Sequence, residues 1–543
     1  MVGTAYLFAV CVGLTISMAL IPLLVRAAPR FGLLDVPDSR KVHATPIPRV
    51  GGVAIVIGGL VAMLFLVPLD RLMQSYLLGV AVLFTLGVWD DIREIGHYTK
   101  FAGQFAAVSI LVLHGDVYIT RLPFGWETVP PEFGIPFTIF AIVGMINAIN
   151  HSDGLDGLAG GESLLSLVAI GYLAHVAGAI DVVIIAAAMI GGILGFLRFN
   201  THPARIFMGD AGSQVLGLTL GFLAVLLTQN VNPALSAALP ALLLGLPICD
   251  ILGVLYLRIT HGMNWFRASR NHIHHRLLAL DLAHHESVVV IYSIQMLLVL
   301  LGVLLRFETD VLVLGVYLVI VSAVFTVLTV AERSSWRADR FRRENRLLRS
   351  LGDGRLDPRL GDWSLTALRV LIPGYLILIN VLAGAPPYDI GLVAAVVFAV
   401  ILLEMAFGNG KSSVLVRAAV YVAVIFTVYM DMVHGPLWLE AHGIWITAFF
   451  GLIAVLIGVN LRTRERAIFE LTPFDYLVVC AVIGLVVIGQ EQRLSDEIAA
   501  GAVKAVVLLY GCELILTAAR RRLGVLNIAT AAALGIMCLR GLT

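Results

Sequence analysis

Charge is what this chain has least of. Of its 543 residues only 13% are Asp, Glu, Lys or Arg, 59% are hydrophobic, and the mean hydropathy is +0.95. No water-soluble chain of this length carries so little charge, which excludes soluble enzymes, and no nucleic-acid partner is expected. Cysteine is scarce as well. Cys11, Cys249, Cys480, Cys512 and Cys538 are scattered through apolar segments, and their spacing excludes a disulfide framework or a thiolate metal site. They are expected to act as small buried hydrophobes.

What the chain does have is uncharged runs of membrane-spanning length, such as residues 2–25, 50–69, 133–152 and 214–249. The fold class is therefore an all-α polytopic membrane protein, with about eleven transmembrane helices in residues 1–331 and about seven in residues 368–543. The run 214–249 is long enough for a hairpin, with Gln229, Asn230, Asn232 and Pro233 supplying its turn. The first run continues into Arg26 without a small-residue cleavage site, which predicts a retained helix. Residues 332–367 form a hydrophilic linker with nine arginines between Arg333 and Arg359. A short helix, Trp336 to Leu348, and a Gly/Asp/Pro loop are expected there, facing anionic headgroups. In residues 368–543 the polar groups Glu404, Lys411, Asp431, His434, Glu440, Lys504 and Glu513 show no pattern.

Orientation follows from the basic residues. With the N-terminus outside, all of the 37 Lys and Arg but Arg71, Arg121, Arg306, Arg493, Arg540 and the intramembrane Lys504 fall at the inner side. Such a bias places odd-numbered helix ends in the cytoplasm.

Five segments concentrate the chemistry, and this topology puts all five on the cytoplasmic face. They are Arg40 to Gly52, Trp89 to Gln104, Asn147 to Gly161, Phe196 to Ser213, and Pro247 with Asp250 through Arg270 to Leu278. In the third, Asn147, Asn150, Asp153 and Asp156 recur at every third position, which predicts one side of a helix end. Glycines 154, 157, 160 and 161 would let a backbone or a phosphate approach closely. Singly, each motif has an ordinary explanation: Asp90 and Asp91 as a solvated helix end, Asp210 as an N-cap, Lys41 and Arg49 as topology anchors. Together, six carboxylates (Asp90, Asp91, Asp153, Asp156, Asp210, Asp250) meeting basic groups and amides at one membrane face point to a site. Hard oxygen donors without thiolates suit magnesium or manganese. Lys100, Arg49, Arg205 and the histidines suit phosphate oxygens in a phosphoryl transfer. The residue types suggest a cytoplasmic nucleotide diphosphate, a divalent metal and a second substrate arriving from the bilayer.

Over about residues 1–330 these segments resemble, in order and spacing, the polyprenyl-phosphate N-acetylhexosamine-1-phosphate transferases (glycosyltransferase family 4). Asp90-Asp91 with Lys100 and Gln104 is similar to that family's aspartate-rich loop, and NAINHSDGLDGLAGG to its Asn-x-x-Asn-x-x-Asp-Gly-x-Asp-Gly loop. Phe207 to Asp210 resembles its metal-binding loop, and His272-Ile273-His274-His275 the histidine motif of the branch using UDP-N-acetylhexosamines. The chain departs from the pattern at Ser269, where the family usually has an acidic residue, and the module after residue 332 exceeds the family's usual length.

The resemblance implies that Asp210 with Asn150 ligates Mg²⁺, with Mn²⁺ a possible substitute. It makes Asp90 a general base or orienting group with Asp91 beside it. Lys100, His272 and His274 would hold phosphates, and Asp153, Asp156 and Asn200 would line the nucleoside side. Lys41, Arg49, Asn147, Arg205 and His275 complete the expected substrate contacts. The implied reaction transfers N-acetylglucosamine-1-phosphate from a UDP-sugar to undecaprenyl phosphate, releasing UMP and initiating a lipid-linked envelope polysaccharide such as O-antigen. The setting would be the bacterial inner membrane, the assembly a homodimer. A UDP-MurNAc-pentapeptide donor is the alternative within the family, disfavoured by the His-x-His-His form. A secondary transporter is disfavoured because its ionisable groups would lie near the midplane.

The topology is directly testable. Single-cysteine variants R71C and R121C should react with a membrane-impermeant maleimide in intact spheroplasts, and R93C only after permeabilisation. The reverse pattern would invert the orientation.

Overall fold

The computed structural model describes residues 2–36, 45–125, 128–260, 262, 271–334, 336–338, 357–407, 414–436, 443–463, 472–473, 475–479, 493–518 and 524–543. Two compact units divide the chain: Val2–Arg342 with Thr472–Ala481, and Arg343–Leu471 with Val482–Thr543.

In the first unit the order is α1 (Val2–Phe31), β1 (Leu34–Asp35), β2 (Ile47–Pro48), α2 (Gly51–Leu66), α3 (Arg71–Ile92), α4 (His97–Gly115), α5 (Pro131–Ser152), α6 (Leu158–Val176) and α7 (Ile180–Asn200). Then follow α8 (Asp210–Leu226), the short α9 (Pro240–Leu243), α10 (Gly245–Thr260), α11 (Ile273–Ala279), α12 (His284–Leu304) and α13 (Asp310–Arg333). Among the described residues fourteen helices are long and apolar enough to cross a membrane, eight of them in this unit. α2, α4 and α10 are further helices of this unit, beside the about eleven spans expected. The predicted linker helix lies, from residue 339 onward, outside the described residues.

The span beginning at α8 is 100% buried and forms the centre of the unit. Tyr76 of α3 and Thr219 of α8 share a hydrogen bond of 2.9 Å across that centre. Lipid offers no hydrophobic force to join helices, so small residues that allow close approach decide which faces meet. A Cβ on Gly191 of α7 would stand 2.2 Å from the Val10 carbonyl oxygen of α1. After α8 the helix widens into a π turn over Leu227–Val231 and leaves at Asn232, whose side chain accepts from the Ala234 N–H at 3.1 Å. This is the expected hairpin region, except that Gln229 turns inward, its Oε1 accepting from the Thr120 and Arg121 N–H groups at 3.1 and 3.0 Å. The break between α9 and α10 frees carbonyls that buried donors satisfy: Ser166 and Gln295 on Leu243, Tyr317 on Gly245.

Small strands form where only helices were expected. Leu34 pairs with Pro48 and Asp35 with Ile47, and Arg49 bridges to Phe207 in parallel. The Gly51 and Gly52 N–H groups then donate to the Phe207 and Met208 carbonyls at 2.9 and 2.8 Å. The segment between α1 and α2 is thereby tied to the one entering α8.

The second unit contains α14 (Pro358–Leu382), α15 (Tyr388–Phe407), α16 (Val414–Val433), α17 (Gly443–Thr463), α18 (Arg493–Ala518) and α19 (Val525–Leu542). The remaining span expected there, near residues 474–492, lies largely outside the described residues. Its core joins Leu368, Ile372 and Leu376 with Val420, Val424, Ile453 and Leu508. Polar residues that looked unpatterned are paired across helices: Lys504 with Asp431 at 2.6 Å, and Arg417 with Glu513, which also accepts from the Tyr421 hydroxyl at 3.0 Å.

The Gly191 contact is backbone on both sides and cannot yield by a side-chain rotation. Gly191→Ala should therefore destabilise the solubilised protein by about 1–3 kcal/mol. Gly315→Ala, at a position with nothing within 4 Å, should leave the thermal unfolding midpoint unchanged.

Candidate active site

The site begins with a helix terminus. The first N–H groups of a helix have no intrahelical acceptor. At α8 the Asp91 carboxylate of α3 fills that role, accepting from the Asp210 N–H at 2.9 Å and the Ala211 N–H at 3.1 Å. Negative charge at a helix N-terminus is also favoured by the helix dipole. Gly209 makes the approach possible: its φ is +73°, and a Cβ would stand 2.6 Å from Asp91 Oδ2. Asp210 is thus not its own helix's cap; Asp91 caps the helix and Asp210 projects from its first turn.

Beside it, Lys100 Nζ lies 2.8 Å from Asp210 Oδ2 and 2.6 Å from Asp90 Oδ2, with 26% of its side chain exposed. Asp90 is buried and its other oxygen accepts from the Ile95 N–H at 2.8 Å. Asn150 Nδ2 donates to Asp210 Oδ1 at 3.0 Å and to Ser213 Oγ at 2.9 Å. Those bonds use the amide nitrogen and leave the oxygen as the donor a cation would take. Asn147 donates to Gln104 at 2.8 Å, and Gln104 reaches Gln214 at 3.3 Å, a file of amides behind the carboxylates.

A second group forms around the histidine motif. Asp250 Oδ2 lies 2.6 Å from His272 Nδ1, and its Oδ1 accepts from the Ile273 N–H at 2.7 Å. This pair fixes the ring and leaves Nε2 as its available nitrogen. His151 and His274 stack on His272 with centroids 5.4 and 5.7 Å away, and His275 lies 4.2 Å from His274. Burial first, and then the neighbouring His275, pushes the His274 imidazole down to about 3, so it is neutral.

A third group surrounds Asp156. Its Oδ2 lies 2.7 Å from His202 Nδ1 and accepts from the Ala204 N–H at 3.1 Å, while its own N–H donates to His284 Nε2 at 2.9 Å. The His202 and His284 rings stack at 4.3 Å. Asp156, His202 and His284 could between them offer three metal-ligand atoms, but their hydrogen bonds turn both rings toward Asp156 as a grip. Desolvation raises the Asp156 carboxyl, yet the His202 hydrogen bond and the neighbouring His284 outweigh it and hold the group below the usual carboxylate range. Asn200 accepts from the Gly157 N–H at 2.8 Å, and Tyr292 donates to the Gly157 carbonyl at 2.6 Å.

Thus Asp90, Lys100, Asn150 and Asp210 come together as one group, and His272, His274 and His275 as another, both reached from the end of α5. Two expectations need correction. The four residues spaced by threes do not share one helix face, because α5 ends at Ser152 and Asp153 and Asp156 lie in the turn beyond. Two of the segment's glycines, one in that turn and one in α6, make room for protein side chains: added Cβ atoms would stand 2.4 Å from His274 at Gly154 and 2.1 Å from Tyr292 at Gly161. Arg49 pairs with the buried Asp35 while its charge still acts on Asp153, and Arg205 is exposed at the surface. Lys41 lies outside the described residues, as do residues 266–270. His284 and Tyr292 lie in no short motif, and His151, although inside the Asn147–Gly161 stretch, was not singled out among its polar neighbours.

Comparison with known proteins agrees with this architecture. The family model described as glycosyl transferase family 4 matches residues 73–228. A Bacillus subtilis protein named probable undecaprenyl-phosphate N-acetylglucosaminyl 1-phosphate transferase is 32% identical over 55% of this chain and 84% of its own length. The Escherichia coli K12 undecaprenyl-phosphate alpha-N-acetylglucosaminyl 1-phosphate transferase is 31% identical over 60% of this chain and 91% of its own. Its Haemophilus influenzae namesake is 33% identical over 50% and 79%.

The turn makes stability depend on pH. Desolvation, then the carboxylates of Asp210 and Asp156, raise the Asp153 carboxyl to about 7. Between its unfolded value of about 4 and that value, the folded state keeps a proton that the unfolded state has lost, so this group's contribution falls as pH rises. Asp153→Asn should flatten the decline of the thermal unfolding midpoint from pH 5 to pH 8, measured without nucleotide or divalent cation. An unchanged slope would refute the assignment.

Proposed function

The chain belongs to glycosyl transferase family 4 and is a membrane-bound transferase; we propose that it moves N-acetylglucosamine-1-phosphate from its UDP-sugar to undecaprenyl phosphate and releases UMP. The observation that carries this is Lys100, held between Asp90 and Asp210 at the mouth of α8, with Asn150 on the other oxygen of Asp210. Relatives named as undecaprenyl-phosphate N-acetylglucosaminyl 1-phosphate transferases match much of the same chain. We assign the site to the cytoplasmic face of the inner membrane with the N-terminus outside, supported by the placement of Lys and Arg, and a role in starting an envelope polysaccharide such as O-antigen.

Lys100 is fixed by two carboxylates yet partly exposed, so its ammonium can take a phosphate oxygen without reorganising. Asp90, with both oxygens engaged, serves as the orienting group for Lys100. His272, braced by Asp250, offers Nε2 to the second phosphate. Asp156 and Asn200 form the nucleoside side. A lipid-phosphate oxygen forms a bond to the sugar-proximal phosphorus, and the bond from that phosphorus to the bridging oxygen breaks, the electron pair leaving with UMP. Holding both phosphates in place suffices for direct displacement.

The donor set fits a hard divalent cation: the Asp210 carboxylate and the Asn150 amide both offer oxygen ligands, and neither a thiolate nor a thioether stands among the bonded groups around them. Mg²⁺ held by Asp210 and Asn150 would neutralise diphosphate and leaving-group charge.

Membranes given labelled UDP-GlcNAc, undecaprenyl phosphate and Mg²⁺ should form a lipid-linked diphosphate sugar and UMP. Omitting the cation should stop product formation, and Asp210→Ala should lower turnover by at least about a hundredfold. Absence of product with every UDP-N-acetylhexosamine would refute the proposal.

A further inference from the structure

We infer that Glu162 is a positioning residue for the donor-side turn, latching it through Ser152; this rests on the transferase reading above. Glu162 sits in the first turns of α6 and is 2% exposed. Its carboxyl reaches back to the hydroxyl of Ser152, the last residue of α5 and itself buried. The hydrogen bond therefore ties together the two helix ends that flank residues 153–157, the turn carrying Asp153 and Asp156.

The rest of the turn is held from its far side. His284 takes the Asp156 N–H, Asn200 the Gly157 N–H, and Tyr292 the Gly157 carbonyl. The Glu162 to Ser152 bond holds the near side, immediately before Asp153. A carboxyl group buried at this depth costs free energy unless it is paired, and Leu158, Ala159, Leu164 and Leu165 around it are buried apolar residues. An apolar side chain would pack there more favourably, so the carboxyl is justified by its bond. With that bond removed, the Ser152 hydroxyl can turn back onto a carbonyl of its own helix. The helices then persist while the turn loosens, which makes the effect one on donor binding.

The full-length enzyme should be compared as Glu162→Leu, Ser152→Ala, the double variant and Glu162→Gln. Either single change should raise KM for UDP-GlcNAc about tenfold with kcat within about twofold. The double variant should be no worse than the poorer single one. Glu162→Gln, which can still bond Ser152, should stay within about twofold of wild type. Hydrogen–deuterium exchange at residues 153–157 should accelerate in Glu162→Leu and Ser152→Ala and not in Glu162→Gln. If Glu162→Leu fails to fold, Ser152→Ala alone decides. Unchanged KM and exchange in Ser152→Ala, or additive effects in the double variant, would overturn the latch. Accelerated exchange in a protein that makes no product even as wild type would instead overturn the transferase reading and leave the latch standing.

Discussion

Asp91 accepts from the first N–H groups of α8, and the rest of the site is arranged around that hydrogen-bonded terminus. A helix starting at a membrane boundary has N–H groups that lipid cannot satisfy. A carboxylate from a neighbouring helix answers both the missing acceptors and the positive end of the dipole. Because Asp210 is the first residue of α8, its side chain emerges beside that junction, where Lys100 and Asn150 meet it. Gly209 keeps the junction open: a side chain there would collide with Asp91 itself.

The same requirement, that a charge leaving water must find a partner, organises the other groups. Asp250 is matched to His272 and a backbone N–H, and Asp156 is enclosed by His202, His284 and Ala204. These bonds narrow the side-chain freedom of the groups that would face a diphosphate, and preorganisation of that kind is what transition-state stabilisation by fixed charges needs. The second unit obeys the rule without a shared motif: Asp431, with 1% of its side chain exposed, is matched by Lys504.

Much of this was legible in the sequence because membrane burial is an extreme constraint. Uncharged runs marked the spans. Polar clusters such as Asn150 with Asp210 stood out against an apolar background, although their partners did not. The turn after Ser152 was less legible. Threefold spacing suggests a helical face, but Gly157 at φ +82° starts a new helix and turns Asp156 toward His202 and His284. Its glycines advertise space without saying what fills it, and imidazole and phenol rings from residues 274 and 292 do.

Composition and motif order by themselves determined the all-helical membrane class and the family, since both depend on residue type and spacing alone, and they singled out the candidate site residues. Tertiary structure alone decided the pairings: Asp91 as cap, Asp90 as the brace for Lys100, Arg49 spent on Asp35, Glu162 reaching Ser152, Lys504 on Asp431. Hydrogen bonds and ion pairs depend on distances of a few ångströms between residues up to more than a hundred positions apart. No local periodicity encodes such distances; they arise when helices meet at their small residues and buried charges take the partners within reach.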